Sequence, residues 1–198
     1  MRSILISIVI LSFMFSCNSK DEVLGTGKDE NESFSFLKIE YNTVNDESRR
    51  TFMSFEIPLV EYLNNSNREQ TYPFDPFTGY NETSNFVSED FEAFIIEDIE
   101  LFVPVYIDEN NTISLGDRKW KYSCVVQQRK SAFNFTKDII IPPYNKLIIN
   151  TKLFFKKYKT NYKLFMRNNK TDKERIIEGT WTGIYPDYLE INTSFSDL

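Results

Sequence analysis

Histidine is missing from all 198 residues. That removes the commonest general base and the commonest nitrogen ligand for a metal ion, and with it serine triads, thiol proteases and zinc sites of the usual kinds. Cysteine is nearly missing too, at two residues, Cys17 and Cys124, so a disulfide framework is excluded and stability must come from an ordinary core. No apolar run reaches the roughly 20 residues that a membrane-spanning helix needs. Basic residues are outnumbered, 23 against 29, for a net charge of −6, which argues against general binding to nucleic acid or to an anionic membrane. There is no internal repeat. What the chain does hold in quantity is aromatic residues, at 16%, enough to build a large core.

The longest apolar stretch, Ile4 to Phe15, follows Met1-Arg2 and stops at Ser16-Cys17-Asn18-Ser19-Lys20-Asp21-Glu22. A positive start, an apolar segment of roughly 7 to 15 residues and a small residue at the cut describe a secretory signal. A cysteine directly after the small residue makes the segment resemble a bacterial lipoprotein signal, in which cleavage falls just before an acylated Cys. With Met14 and Phe15 ahead of Ser16, the lipobox resembles the relaxed form of the Bacteroidota. Lys20-Asp21-Glu22 resembles the export signal that sends lipoproteins of that group to the outer face of the outer membrane.

The resemblance is confined to residues 1–22. It implies loss of residues 1–16, lipidation of Cys17 by acyl chains such as palmitate, and a place at the outer membrane, on the cell surface or the periplasmic face. Each buried methylene contributes about 0.8 kcal/mol, so two or three chains anchor firmly where one holds marginally. Residues 17–31 read as a flexible tether: Gly25-Thr26-Gly27 and alternating charges leave too little apolar surface to offset ordering entropy. A single domain is expected over residues 32–198.

Within that domain apolar residues recur with period two, the pattern of half-buried strands. Met53, Phe55, Ile57 and Leu59 form one such set, Ile99, Leu101, Val103, Val105 and Ile107 a second, and Trp120, Tyr122, Cys124 and Val126 a third. Turn chemistry at Asp108 to Thr112 suggests that Ile113 to Leu115 pairs back. Phe34 to Tyr41 changes parity near Phe36, which one bulge residue explains. Pro142-Pro143 breaks the chain. Leu147 to Phe155 and Tyr162 to Met166 are expected to form a hairpin across a polar turn at Lys156 to Asn161, and Arg175 to Thr182 pairs with Tyr188 to Ile191. Ser88 to Glu100 is the one segment with helical spacing. Eight or nine strands with at most one short helix predict an all-β fold, an antiparallel β-sandwich of immunoglobulin-like type.

Chemistry is sparse. Asp108 to Thr112 approaches a calcium loop, but Ile113 stands where the EF-hand needs Gly, so no metal and no cofactor is expected. Carboxylates among Glu89, Asp90, Glu92, Glu97, Asp98 and Glu100 would suffice for glycoside hydrolysis if two faced each other across a cleft; a solvated acidic run is the simpler reading. The terminal Gly179-Thr180-Trp181 matches the lipocalin Gly-x-Trp only in composition, since that motif opens a first strand and here lies near the end.

Two features suit binding. Tyr72, Phe74, Asp75, Phe77 and Tyr80 place four aromatics on a segment stiffened by Pro73 and Pro76, which suits stacking on sugar rings or anchoring a protein. The same residues could instead close over the core. Residues 82–109 hold nine acidic and no basic side chains, whereas residues 146–175 hold ten basic and two acidic. Lys152, Lys156, Lys157, Lys159 and Lys163 thus form a candidate basic patch for an anionic glycan or acidic protein, unless the two regions neutralise each other. The expectation is a non-enzymatic, lipid-anchored binding or structural lipoprotein that recognises glycan or protein. The alternatives are a carboxylate-dependent glycan hydrolase, or a periplasmic inhibitor or fimbrial subunit matured after Arg49-Arg50.

Overall fold

The computed structural model describes residues 33–43, 50–76, 80–88, 90, 99–131 and 135–198, and Glu32–Leu198 forms one compact unit. All described regular structure is β: β1 (Phe34–Thr43), β2 (Arg50–Asn64), β3 (Gln70–Phe74), β4 (Asn81–Ser88), β5 (Glu100–Ile107), β6 (Ile113–Lys121), β7 (Gln127–Lys130), β8 (Lys137–Ile141), β9 (Asn145–Asn168) and β10 (Glu174–Asp197). Every pairing is antiparallel. The expected helix at Ser88 to Glu100 falls largely outside the described residues; Ser88 ends β4 and Glu100 opens β5.

Two strands of 24 residues each dominate. At 3.3 to 3.4 Å per residue each runs roughly 80 Å along its contour. They pair with each other along their whole length, interrupted only by a bulge at Asp187 between Pro186 and Tyr188. The hairpin expected across Lys156 to Asn161 therefore does not form, and neither does a second pairing between the two halves of β10. The real reversal comes later. At Asn168 to Lys173 the Asn168 side chain accepts hydrogen bonds from the Lys170 and Thr171 amides at 2.9 and 3.0 Å, and Asp172 takes a left-handed φ of 57°.

Around β9 the sheet has two different widths. Thr160 to Asn168 is flanked by β1, with β10 on the other side and β4 beyond it as far as Tyr162, so up to four strands run abreast at this wide end. The bulge of β1 sits between Phe36 and Lys38, where the parity change placed it. Asn145 to Tyr158 is flanked by β2 instead; up to Lys156 β2, β9 and β10 run abreast at this narrow end, and β4 and β7 join them only at Lys157 and Tyr158.

The two ends bury opposite faces. Leu147, Ile149, Leu153 and Phe155 are buried at the narrow end, and Tyr158, Tyr162, Leu164 and Met166 at the wide end. Successive strand residues point to opposite faces, and β9 keeps unbroken register with β10 from Phe155 through Arg167. Phe155 and Tyr158, three residues apart, therefore lie on opposite sides of one continuous sheet. Over the first face, the β3–β8 pair contributes Phe74, Ile139 and Ile141 to a core with Leu147 and Ile149. Over the second, the β5–β6 pair contributes Leu101, Val103, Ile107 and Trp120. The expected all-β antiparallel fold is present, with layering local to each end and reversed between them. Trp120 to Val126 is also shorter than expected, since β6 stops at Lys121 and β7 resumes at Gln127.

The wide-end core is aromatic and cross-tied. Trp181, fully buried, donates from Nε1 to Ser84 Oγ at 2.9 Å. The Tyr122 and Tyr162 hydroxyls meet at 2.8 Å, with the Phe86 ring edge-on to both. Tyr41 and Tyr185 donate to the carbonyls of Phe102 and Pro104 on β5. At the narrow end the tie is Asn64, whose amide donates to the Ile141 and Pro142 carbonyls.

Candidate functional site

Because each end buries one face, each leaves the other wet. The second face at the narrow end carries the even-numbered residues of β9, and their partners form rows across three strands. Glu56, Lys152 and Glu190 make one row; Ser54, Phe154 and Tyr188 the next; Phe52, Lys156 and Tyr185 a third. In the middle row the Phe154 and Tyr188 rings stack, centroids 4.2 Å apart and planes within 8°. Lys152 Nζ lies 5.3 Å from the Phe154 centroid, Lys156 is bound to Asp187 at 2.5 Å, and Arg50 lies over the Phe52 ring. Tyr188 is 45% and Phe52 58% exposed.

Such a surface suits one kind of chemistry. Exposed aromatic faces take the apolar faces of sugar rings or of flat side chains, and the charged row beside them offers donors and acceptors in a fixed grid. It holds no pair of facing walls. Among the described residues, no three acidic or thiol side chains cluster so as to hold a metal ion, and no helix is long and apolar enough to cross a membrane, which says nothing of strands.

The residues singled out from sequence scatter. Phe74 is 4% exposed and belongs to the narrow-end core; Tyr72 packs against that core and Tyr80 against Phe155. Asp75 is exposed, and Phe77 lies outside the described residues. The aromatics of this segment that can be seen face inward because β3 pairs with β8 as a covering layer, so they do not offer a stacking surface.

The basic patch is divided by the pleat. Lys152 and Lys156 stand on the second face, beside Phe154, whereas Lys157, Lys159 and Lys163 stand on the first. Lys163 is held at 2.6 Å by Glu178 on β10, which raises its pKa. Of the carboxylates, Asp90 is bound to Arg175 at 2.5 Å and Glu100 lies opposite Lys121; Glu89, Glu92, Glu97 and Asp98 lie outside the described residues, as do Cys17, Lys20, Asp21, Glu22 and Arg49. Phe52, Phe154 and Tyr188 were not singled out from sequence. The available signal was that each is a large aromatic on the parity opposite to the buried set of its own strand.

No family model matches this sequence, and no curated protein matches it. Solved structures do. The lamprey immune protein superposes with a TM-score of 0.51 at 12% identity over 83% of this chain, and this chain spans only 53% of that protein's length. The parasporin-2 toxin of Bacillus thuringiensis gives 0.44 at 10% identity, covering 83% of this chain and 75% of that one. The aerolysin-like protein of Bombina maxima gives 0.36 at 11%, covering 84% and 99%. At these identities the likeness speaks for the β-rich fold alone, and only the first is close enough to argue from.

Proposed function

We propose that this domain is a non-enzymatic recognition module, held at a bacterial outer membrane by acyl chains on Cys17 and displayed at the cell surface, that binds glycan through the flat face around Phe154 and Tyr188. The carrying observation is the stacked Phe154–Tyr188 pair, Phe154 half-buried and Tyr188 exposed, with a Glu–Lys–Glu row directly beside it. Large exposed aromatics cost solvation unless a ligand covers them, and pyranose rings present one apolar face with hydroxyls at the rim. Tyr72, Phe74 and Tyr80 take no part in this face, because they pack against the narrow-end core.

A glycan array probed with the full chain tests it. Binding should be lost in Phe154→Ala/Tyr188→Ala and retained in Val87→Ala, which alters an exposed residue of β4 away from that grid. Equal binding by the aromatic double variant would sink the reading. For the anchor, palmitate labelling should vanish in Cys17→Ala, and loss of Lys20, Asp21 and Glu22 should cut protease access in intact cells.

A further inference from the structure

The narrow end has two sheet edges, and they are built differently. An open edge presents a row of backbone donors and acceptors to any passing strand, so soluble proteins guard such edges with prolines, bulges and charges. β2 is guarded in this way: Pro58 and Leu59 interrupt its register between Ile57 and Val60, and Glu56 and Glu61 flank the interruption. β10 is guarded only at its start. β4 covers it from Gly179 to Ile184, and Pro186 with the bulge at Asp187 follows. From Tyr188 to Ser196 there is no proline, no lysine and no bulge, one charged residue, Glu190, and no described strand on the outer side.

Two further observations mark this edge. From Asn192 onward β10 is exposed on both faces, so the strand's last quarter rests on β9 alone. Beside its first part, Leu189, Ile191, Tyr188 and Phe135 line an open apolar depression of about 390 Å³. Phe195, 46% exposed, shares the parity of Leu189 and Ile191 and so lies on the same face.

We infer that β10 pairs antiparallel with β10 of a second copy, about a two-fold axis at Asn192, so that each copy's Phe195 enters the other's depression. A two-fold axis normal to a sheet keeps the faces of both copies aligned, so only registers of matching parity are allowed. Centring on Asn192 sets Leu189 opposite Phe195, Ile191 opposite Thr193, Glu190 opposite Ser194 and Tyr188 opposite Ser196. That gives an apolar pair, a β-branched pair and no like charges facing each other within Tyr188 to Ser196. Centring on Thr193 would set Leu189 against Asp197, and centring on Ile191 would carry Phe195 to the bulge at Asp187, whose carboxylate binds Lys156; in the Asn192 register the pairing stops short of Asp187 and Asp197.

The contact is isologous and therefore closed. It joins β2-β9-β10 to its copy as a continuous six-stranded sheet whose remaining edges are the guarded β2 strands. Faces being preserved, two Phe154–Tyr188 platforms stand on one side of the dimer, a bivalent surface for a repeating ligand. The pairing itself needs no ligand, so its failure and failure of the glycan reading are separate results.

Symmetric disulfide cross-linking of the full chain in its own membrane tests the register. Opposed residues of an antiparallel pair have Cα atoms about 4.5 to 5.5 Å apart, within disulfide range. Asn192→Cys should give a covalent dimer, and Glu56→Cys, on β2, should not. In detergent, the unmodified chain should sediment as a dimer at micromolar concentration, while Phe195→Lys should weaken dimerisation at least tenfold and keep the parent's far-ultraviolet circular dichroism, its unfolding midpoint matching that of the parent diluted to monomer. A monomeric parent chain, equal cross-linking through Glu56→Cys, or a Phe195→Lys chain as dimeric as the parent would each overturn the inference.

Discussion

Along β9 the two ends of the molecule use one alternation in opposite senses. Up to Phe155 the odd-numbered side chains are buried, and from Tyr158 the even-numbered ones are. The wide end has up to four strands abreast and a core in which Trp181, Tyr158 and Tyr162 are almost fully enclosed. The narrow end has three strands and a smaller aliphatic core around Leu147 and Ile149. One end buries most of its aromatics; the other leaves Phe52 and Tyr188 exposed and the last stretch of β10 without a described neighbour on its outer side. The enclosed core and the wet aromatic face therefore lie on different halves of the same two strands.

The comparison breaks first at Trp181. Trp181→Ala removes a fully buried ring and the partner of Ser84 and should cost about 3 to 5 kcal/mol, read as a lowered midpoint in urea. A cost near that of a surface change would mean that the wide end does not hold the fold. Gly179→Ala comes next, because a Cβ there would collide with the Val87 carbonyl oxygen and stand 2.6 Å from the Tyr162 hydroxyl. About 1 to 3 kcal/mol is expected, in the same assay.

Alkali should sharpen the contrast. Burial raises the pKa of Tyr41, Tyr122, Tyr158, Tyr162 and Tyr185 above the ordinary 10, and all five belong to the wide-end core or pack against it. Their native forms stay protonated where the unfolded chain ionises. Stability should therefore be flat below about pH 10 and fall as pH rises beyond it, with tyrosinate absorbance from these five appearing only as the wide end opens. Ionisation of all tyrosines before any unfolding would contradict the enclosed core. The smallest effect belongs to the wet face: Phe154→Ala should shift stability by about 0.5 kcal/mol or less while abolishing glycan binding.

Particular residues explain what was legible in the sequence. The bulge in β1 could be placed because Phe36 and Leu37 break parity with nothing polar between them, and only an extra residue restores it. The switch in β9 produces the same local sign, Phe154-Phe155 followed by Lys156-Lys157, but there it is no bulge. Neither face is well covered at the crossing, so lysines gather on both sides of it, and a polar cluster between two alternating runs reads as a turn. Asn145 to Glu178 contains no glycine and no proline, which in retrospect argues for one unbroken strand up to the Asn168 to Lys173 reversal. The recognition face was hidden for the same reason: Phe154 looks like a core residue until the opposite parity is seen to be filled by Leu153 and Phe155.

Composition and periodicity by themselves determined that this chain folds as β structure around an aromatic core, that chemistry based on histidine or paired thiols is absent, and that the segment around Cys17 resembles a lipid anchor. Those follow from residue types and from a period of two, which any neighbouring strand must respect. Tertiary structure alone decided which parity is inside. A strand presents two equivalent faces, and the one that is buried depends on where β3–β8 and β5–β6 settle, which are contacts between residues far apart in the chain. That choice, made oppositely at the two ends, turns Phe154 and Tyr188 outward and leaves the edge of β10 open.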